Sequence, residues 1–209
     1  MGTLRDVLDA AARGVLPPPD GTTRVVPQES ARDAGVLSFT AHSVVFTDED
    51  PAWVHDTLRA LDCDALAATM HPRFLAALME RTGRTAETID ALLVGTPLPG
   101  EPEIALTEMA GDHPRVAYAR RRRDDVRAWA ADGGVLVTGR GVAGRLEVSV
   151  EIDERVRHRG LGRALVRAAR QLAGEPLWAQ VAPGNARSAR AFQAAGYRQV
   201  GAEALLRPR

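Results

Sequence analysis

The sequence predicts an α/β fold, because short apolar runs typical of strands alternate with amphipathic helical segments along the chain. Two further observations support this prediction. Clusters of glycine and proline separate the segments, and an alternating strand over residues 146–152 leads through a glycine turn directly into a helix. The 209 residues are enough for one large domain or two small ones, each with a core of its own.

The first 98 residues are predicted to form a smaller mixed α/β region that belongs to no family recognisable from its sequence. Its predicted elements are helices over 4–11, from Pro51, from Pro72 to Gly83 and over 86–93, and strands over 36–39 and 43–47. Proline in a first turn and glycine after a last turn set the helix limits. The segment Gly-Thr-Pro-Leu-Pro-Gly at 95–100 predicts a boundary, so the second domain should cover residues 99–209.

The second domain is predicted to consist of strands joined by tight turns, with one helix near its beginning and another directly after the glycine turn that follows the strand at 146–152. Its predicted elements are strands over 103–108, 126–130, 135–138, 146–152 and 177–181, a helix over 113–123 and a helix from residue 161. Asp132-Gly133-Gly134 is typical of a hairpin turn.

Composition excludes several functional classes. The formal net charge is zero, so no global field attracts nucleic acid or an anionic membrane. All 27 basic residues are Arg, so no lysine can form a Schiff base. Cys63 is the only cysteine, which leaves no intrachain disulfide and no thiolate cluster for a metal. No run resembles a transmembrane helix or a signal peptide, so a cytoplasmic location is expected.

The most informative stretch is the glycine turn between the strand at 146–152 and the helix that follows. Such a turn exposes unpaired backbone N–H groups at the positive end of a helix, which together form an anion site. Glycine lets the backbone approach a pyrophosphate without Cβ atoms in the way. The turn and its flanks supply glycines and positive side chains, namely Arg157, His158, Arg159, Gly160, Leu161, Gly162 and Arg163. A ligand that carries a diphosphate is therefore predicted.

The pattern Arg157-x-x-Gly160-x-Gly162 after an apolar strand resembles the acetyl-CoA pyrophosphate loop of the GNAT superfamily of N-acetyltransferases. The rest of that family's signature follows at the expected distance. Asn185, Ser188, Phe192 and Gly196-Tyr197 are similar to its Asn-x-x-Ser/Ala helix, which ends in Gly-Phe/Tyr. A Rossmann turn would need an acidic residue at the end of a second strand, whereas Glu175 precedes the strand.

The resemblance implies a GNAT-like fold, a mixed sheet whose central strands, ending near Ile152 and starting near Leu177, splay apart around the pantetheine arm. In relatives the backbone of the fourth strand of the fold pairs with pantetheine, and the equivalent positions here are Val150 and Ile152; Asn185 would hold the arm from the other side. The residues implied to bind acetyl-CoA are Val150, Ile152, Arg157, His158, Arg159, Gly160, Leu161, Gly162, Arg163, Asn185, Ser188 and Phe192. Asn185 equally suits a helix cap, and the two roles can coexist.

The implied activity is direct transfer of an acetyl group from acetyl-CoA, as cosubstrate, to an amine in a ternary complex, without a metal. The acceptor would be a small-molecule or peptide amine; no nucleic acid or membrane partner is expected, and a homodimer stays open. Glu147, Ser149 and Glu151 alternate with apolar residues on their strand, so they share one polar face. They are the catalytic candidates, and the alternative is a face of solvated charges.

One departure from the family concerns the residue that protonates the leaving thiolate. Many members have tyrosine four residues before the glycine of the Gly-Phe/Tyr pair, and this chain has Phe192 there. Ser188, His158 or water would have to replace it, or the thiolate leaves unassisted. The alternative function is therefore a non-catalytic module that binds or senses acyl-CoA.

Two features stay open from the sequence alone. The run Arg120-Arg121-Arg122-Arg123 suits either a site for phosphate or an acidic substrate, or a solvated helix end that is neutralised by the two aspartates after it. The N-terminal region is hypothesised to complete the acceptor site through residues such as His42, Trp53 or His55.

Overall fold

A computed structural model describes residues 2–209 as two compact units. The first unit extends to Leu92 and also includes Val200–Arg209, and the second unit is Leu93–Gln199. The predicted boundary was 98/99; the structural division falls at 92/93, and the last ten residues return to the first unit. They do so as a strand that pairs with residues 34–38, a long-range pairing that local sequence does not reveal.

Among residues 2–92 and 200–209, the first unit combines four helices with a small sheet. Its elements are α1 (Leu4–Ala12), β1 (Thr23–Val26), β2 (Ala34–Phe39), β3 (His42–Phe46), α2 (Pro51–Arg59), α3 (Ala65–Ala68), α4 (Pro72–Thr82), β4 (Arg84–Thr85), the start of β5 (Ile89–Gly95) and most of β11 (Arg198–Pro208). The strand order is β1-β3-β2-β11, and β4 pairs with the end of β11. β1 runs parallel to β3, whereas β2 is antiparallel to both β3 and β11.

The proline and glycine signals that limit these helices act as predicted, and the structure adds side-chain caps. Asp50 and His71 cap α2 and α4 with their side chains, and each helix has proline at its beginning. Gly83 ends α4 in the left-handed conformation. The apolar faces of α2 and α4 then pack against the sheet in one core, formed by Val36, Val45, Val54, Phe74, Leu75, Leu78, Ala204 and Leu206.

One prediction in this unit is wrong. Residues 86–93 were predicted to be a helix, but Ile89–Gly95 forms β5. A short apolar run cannot be assigned by periodicity alone, and here its buried residues pair within a sheet. The helices at 4–11, from Pro51 and at 72–83 and the strands at 36–39 and 43–47 are confirmed. β1 and β11 were not predicted.

The second unit contains the larger, mixed sheet. Its elements are the end of β5, β6 (Thr107–Glu108), α5 (Pro114–Arg120), β7 (Asp124–Ala131), β8 (Gly134–Arg140), β9 (Leu146–Ile152), α6 (Leu161–Leu172), β10 (Leu177–Val181) and α7 (Ala186–Ala194). The strand order β10-β9-β8-β7-β6 has one parallel pair, β9 with β10, and is otherwise antiparallel. α5 packs on this sheet through a core of Val116, Ala119, Ala128, Val135 and Val137.

The predicted α/β class and mixed sheet are confirmed. β9 and β10 have the predicted limits, and the predicted helix at 113–123 is present as the shorter α5. The predicted strand at 103–108 is reduced to β6, because only Thr107 and Glu108 pair with β7. No helix within residues 2–209 is both long and apolar enough to cross a membrane.

Close backbone approach at Gly35 should make alanine there destabilising. A Cβ atom at Gly35 would overlap the carbonyl oxygen of Ala204 and lie 2.9 Å from Cζ of Phe46. We expect Gly35→Ala to lower the free energy of unfolding by about 1–3 kcal/mol, as overpacking does. Urea denaturation measures this. Gly174→Ala is the control, since Gly174 is exposed and nothing lies within 4 Å of its added Cβ. Equal stability of the two variants would contradict the expectation.

Candidate active site

The two parallel strands of the second unit pair only where they begin. Leu146 lies opposite Leu177 and Glu147 opposite Trp178. β9 then continues to Ile152 with no further register partner on β10 among residues 2–209, although all of β9 pairs with β8 on its other side. Parallel neighbours ordinarily share a regular ladder of hydrogen bonds. The predicted splay is therefore present, and it leaves the backbone of β9 near Val150 and Ile152 open towards β10.

The glycine turn lies at the beginning of α6, directly after the open end of β9. Gly160 is the N-cap residue, with φ of 84° and no side chain to cap the helix. A Cβ atom there would meet nothing within 4 Å, and one at Gly162 would meet Ile152 and Ala191 only at 3.7 and 3.9 Å. Backbone N–H groups at this helix end are thus uncovered, and they can bind an anion. Arg157, His158, Arg159 and Arg163 are exposed around it.

A cavity of about 440 Å³ joins the end of β9 to this turn. Its lining is polar and of mixed charge, consisting of Glu151, Ile152, Asp153, Glu154, Arg155 and Arg157. Arg157 is held within it, because Nη1 donates to Oε1 of Glu154 at 3.1 Å and Nε donates to the carbonyl oxygen of Ile152 at 3.4 Å. The cavity therefore extends the open edge of β9 towards the predicted diphosphate site.

The Glu147 carboxylate lies at the point where β9 and β10 stop pairing. Oε1 accepts from Nε of Arg145 at 2.8 Å and from Nε2 of Gln180 at 2.9 Å, and Oε2 accepts from Nε of Arg123 at 2.8 Å. The side chain is only 2% exposed. Gly141 packs against it so closely that a Cβ atom would overlap the carboxylate. Glu147 is thus a buried anion held by two guanidinium groups.

The charge state of Glu147 follows from these neighbours. Burial is the largest single effect and raises its pKa, because desolvation disfavours the anion. The charges and hydrogen bonds of Arg145 and Arg123 together outweigh it and lower the pKa to about 2. Glu147 is therefore ionised at neutral pH and holds a proton only under strongly acidic conditions.

The other two candidates on this face are more accessible. Ser149 is partly exposed, and its Oγ accepts from Nη1 of Arg123 at 3.2 Å. Glu151 is 43% exposed, and its Oε2 accepts from Nε of Arg115 at 3.1 Å. The structure thus brings all three predicted residues onto one face of β9, but only Ser149 and Glu151 can be reached by a substrate.

The second motif forms α7 and the turn after it. Oδ1 of Asn185 accepts from the backbone N of Ser188 at 3.1 Å, so Asn185 is the N-cap of α7. Phe192 is 4% exposed and packs edge-on against Tyr197, with the ring centroids 4.9 Å apart. The Tyr197 hydroxyl donates to the carbonyl oxygen of Val166 at 3.3 Å, and burial raises its pKa. Neither ring can donate a proton at an open surface.

Arg115 and Arg145 are important residues that sequence reasoning missed. The tetra-arginine run was the signal for Arg123, but nothing in the sequence indicates that it turns inward to Glu147. In the first unit, Nδ1 of His42 lies 3.0 Å from Oδ1 of Asp20, and Trp53 stacks under Arg81.

Residues 100–197 match the family model for the acetyltransferase (GNAT) family. No curated protein matches the chain. Similar solved structures include a GCN5-related N-acetyltransferase from Kribbella flavida, with 21% identity over 86% of this chain and 90% of that one and a TM-score of 0.43. Another, from Sphaerobacter thermophilus, has 18% identity and a TM-score of 0.38, and the alignment covers 64% of this chain but only 55% of that protein.

The match spans β6 to α7, and so includes the splayed strands, the glycine turn and the Asn185 helix described above. Sequence motif, local geometry and family model agree on the same residues. Residues 100–197 of this chain are therefore a domain of the GNAT acetyltransferase family, whose members in general carry out acyl-CoA-dependent acetyl transfer.

Proposed function

We propose that the protein is an N-acetyltransferase that moves an acetyl group directly from acetyl-CoA to an amine. The observation that carries this proposal is the early parting of β9 from β10 immediately ahead of the glycine turn. An open strand edge followed by an uncovered helix N-terminus suits an extended ligand with a pyrophosphate at one end. Acetyl-CoA, when bound, supplies the acyl group as an activated thioester.

The cofactor-binding roles follow the order of the residues along the second unit. Backbone N–H groups of Gly160, Leu161 and Gly162 would hold the pyrophosphate, with Arg157, His158, Arg159 and Arg163 supplying positive charge. The open backbone of Val150 and Ile152 would hold the pantetheine arm like an added strand. Asn185, Ser188 and Phe192 would border the arm on the α7 side.

Glu151 is the proposed general base. Its carboxylate is half-exposed, and only Oε2 is hydrogen-bonded within residues 2–209. Oε1 is therefore available to accept a proton from the amine, directly or through one water. Glu147 is less suitable, because a buried carboxylate with a pKa of about 2 takes up a proton too weakly. We assign Glu147 the role of positioning Arg123, which in turn donates to Ser149.

Ser149 is the proposed proton donor to the departing thiolate, in place of the tyrosine that Phe192 replaces. Its Oγ accepts from Arg123, so its own hydroxyl hydrogen is left for another acceptor. A neighbouring guanidinium also favours the negative charge that develops nearby.

A non-catalytic acyl-CoA sensor is the second candidate, and one observation favours it. Phe192 has no proton to give, and the Tyr197 hydroxyl is buried against Val166. The two functions differ in a single measurement, the release of free thiol from acetyl-CoA in the presence of an amine library. Binding without release from any amine would support the sensor.

The glycine turn can be tested by covering it. We expect the wild type to bind acetyl-CoA with micromolar affinity in isothermal titration calorimetry, and Gly162→Trp to abolish binding by covering the backbone N–H groups. Gly162 lies outside the left-handed region, so tryptophan does not strain the backbone there. The control is Gly174→Trp, after the other end of α6, where nothing lies within 4 Å. Equal binding by both variants would exclude this turn as the cofactor site.

The proposed division of labour between the two glutamates predicts opposite phenotypes. We expect Glu151→Gln to lower kcat about 10²- to 10⁴-fold, the usual contribution of a general base, with little change in Tm. Glu147→Gln should instead lower stability, by about 3–5 kcal/mol, because it removes the anion between two buried arginines. Full kcat in Glu151→Gln would rule out Glu151 as the base.

The low pKa of Glu147 also predicts acid sensitivity. Because folding lowers this pKa, ionised Glu147 stabilises the protein above the unfolded pKa, and that stabilisation is lost as pH falls through the window from 4.5 to about 2. We expect the wild type to lose about 3 kcal/mol from this group between pH 5 and pH 2. Urea denaturation at several pH values should show a shallower dependence for Glu147→Gln, while exposed Glu101→Gln follows the wild type. Identical slopes would contradict the assignment.

A further inference from the structure

Guanidinium groups flank the carboxylates on the polar face of β9. Arg115 pairs with Glu151, and Arg123 and Arg145 pair with the buried Glu147. Glu151 can attract the amine of an acceptor, and the guanidinium group of Arg115 beside it favours a second, negatively charged group on the same molecule.

Of these arginines, Arg115 can bind a carboxylate of an acceptor. Its Nε donates to Glu151, but its two terminal nitrogens make no hydrogen bond to any of residues 2–209. The side chain is 31% exposed, so those nitrogens can be reached. The paired terminal N–H groups of a guanidinium fit the two oxygens of a carboxylate in a bidentate arrangement.

The position of Arg115 is fixed by its own helix. His113 caps α5 and accepts from the backbone N of Arg115 at 3.1 Å. The Tyr118 ring lies close to two guanidinium groups, with Cζ of Arg115 at 5.9 Å and Cζ of Arg122 at 3.6 Å from the ring centroid. These contacts pre-organise the guanidinium next to Glu151.

Stability alone is a weak explanation for the Arg115–Glu151 pair. Both side chains are partly exposed, at 31% and 43%, and ion pairs of this kind contribute about 0–1 kcal/mol. The pair instead lies beside the open edge of β9, where the proposed base must meet an acceptor.

We propose that the acceptor is a small amine that also carries a carboxylate, with an α-amino acid as the representative chemistry. This inference rests on the acetyl transfer proposed above. The terminal nitrogens of Arg115 bind the carboxylate of the acceptor, and this directs the neighbouring amine to Glu151. Arg115 is thus the specificity-determining residue for the acceptor.

The transfer balances with the groups present. The nitrogen of the neutral amine forms a bond to the acyl carbon while the carbon–sulfur bond breaks, and that electron pair leaves with sulfur. One amine proton goes to Glu151, and the thiolate takes a proton from Ser149, which recovers it from solvent as Glu151 releases its own. The products are an N-acetylated amino acid and free thiol.

The test compares acceptors that differ only in the carboxylate. Purified full-length protein, acetyl-CoA and each of the free L-amino acids are assayed for thiol release beside the corresponding primary amides. We expect kcat/KM for the best acid to exceed that of its amide by about tenfold or more, as a charged hydrogen-bonded pair requires. Glycine, diglycine and triglycine then report whether the carboxylate must lie close to the amine or can be the end of a peptide.

Arg115→Gln should abolish the preference for acid over amide, mainly through a higher KM for the acid, and Arg115→Lys should restore part of it. The ratio is the informative quantity, because loss of the contact with Glu151 affects both acceptors alike. Arg121→Gln is the matched control, an exposed arginine at the end of the same helix that should keep the wild-type ratio. Tm values of all variants check folding.

Three results would overturn the proposal: equal use of acids and amides by the wild type, an unchanged ratio in Arg115→Gln, or a preference for a phosphorylated amine. If no amine in the panel is acetylated, calorimetry of the amino acids with protein saturated with CoA decides, and no carboxylate-dependent binding overturns the inference. Acetyl transfer to other amines would leave the proposed function intact, whereas absence of acetyl-CoA binding would refute that function itself.

Discussion

The geometry of the second unit depends on the buried carboxylate of Glu147. It occupies the last position at which β9 and β10 pair, and it draws together Arg145 from the start of β9, Arg123 from the end of the α5 segment and Gln180 from β10. A buried anion without partners would be very costly, so the three donors and the carboxylate stabilise one another only as a set. The set fixes the point at which the two strands begin to diverge.

Because the two strands diverge, the backbone and the polar side chains at the end of β9 are accessible. Beyond Glu147, β9 keeps β8 on one side and has no register partner on the other, so its backbone can bind an extended ligand. Ser149 and Glu151 are partly exposed on the polar face, where Arg123 and Arg115 donate hydrogen bonds to them. β9 is therefore buried and paired on both sides at its beginning and accessible at its end.

Much of this arrangement could be predicted from sequence. Strict alternation identified β9, the apolar run at 177–181 identified β10, and the glycines at 160 and 162 identified the beginning of α6. These signals lie within each segment of the sequence, because alternation, apolar runs and glycine turns depend only on neighbouring residues. The family motif supplied the splay, which alternation alone does not encode.

What could not be predicted depends on contacts between residues far apart in sequence. Glu147 shares the alternation of Ser149 and Glu151, but the burial that distinguishes it comes from arginines that are 2 and 24 residues away and from an amide on another strand. The strand at Ile89–Gly95 resembled a helix because its apolar run is too short to show a period. The return of β11 to the first unit likewise leaves no local mark.

For the proposed acetyl transfer, the exclusive use of arginine has a chemical consequence. A lysine close to a thioester can lose its proton and become a nucleophile, and it would then be acylated in place of the substrate. Guanidinium groups keep their proton at all physiological pH values and do not compete in this way. The positive charges around β9, those of Arg115, Arg123 and Arg145, are therefore permanent. In the proposed reaction they attract an anionic acceptor and are not themselves acylated by the thioester.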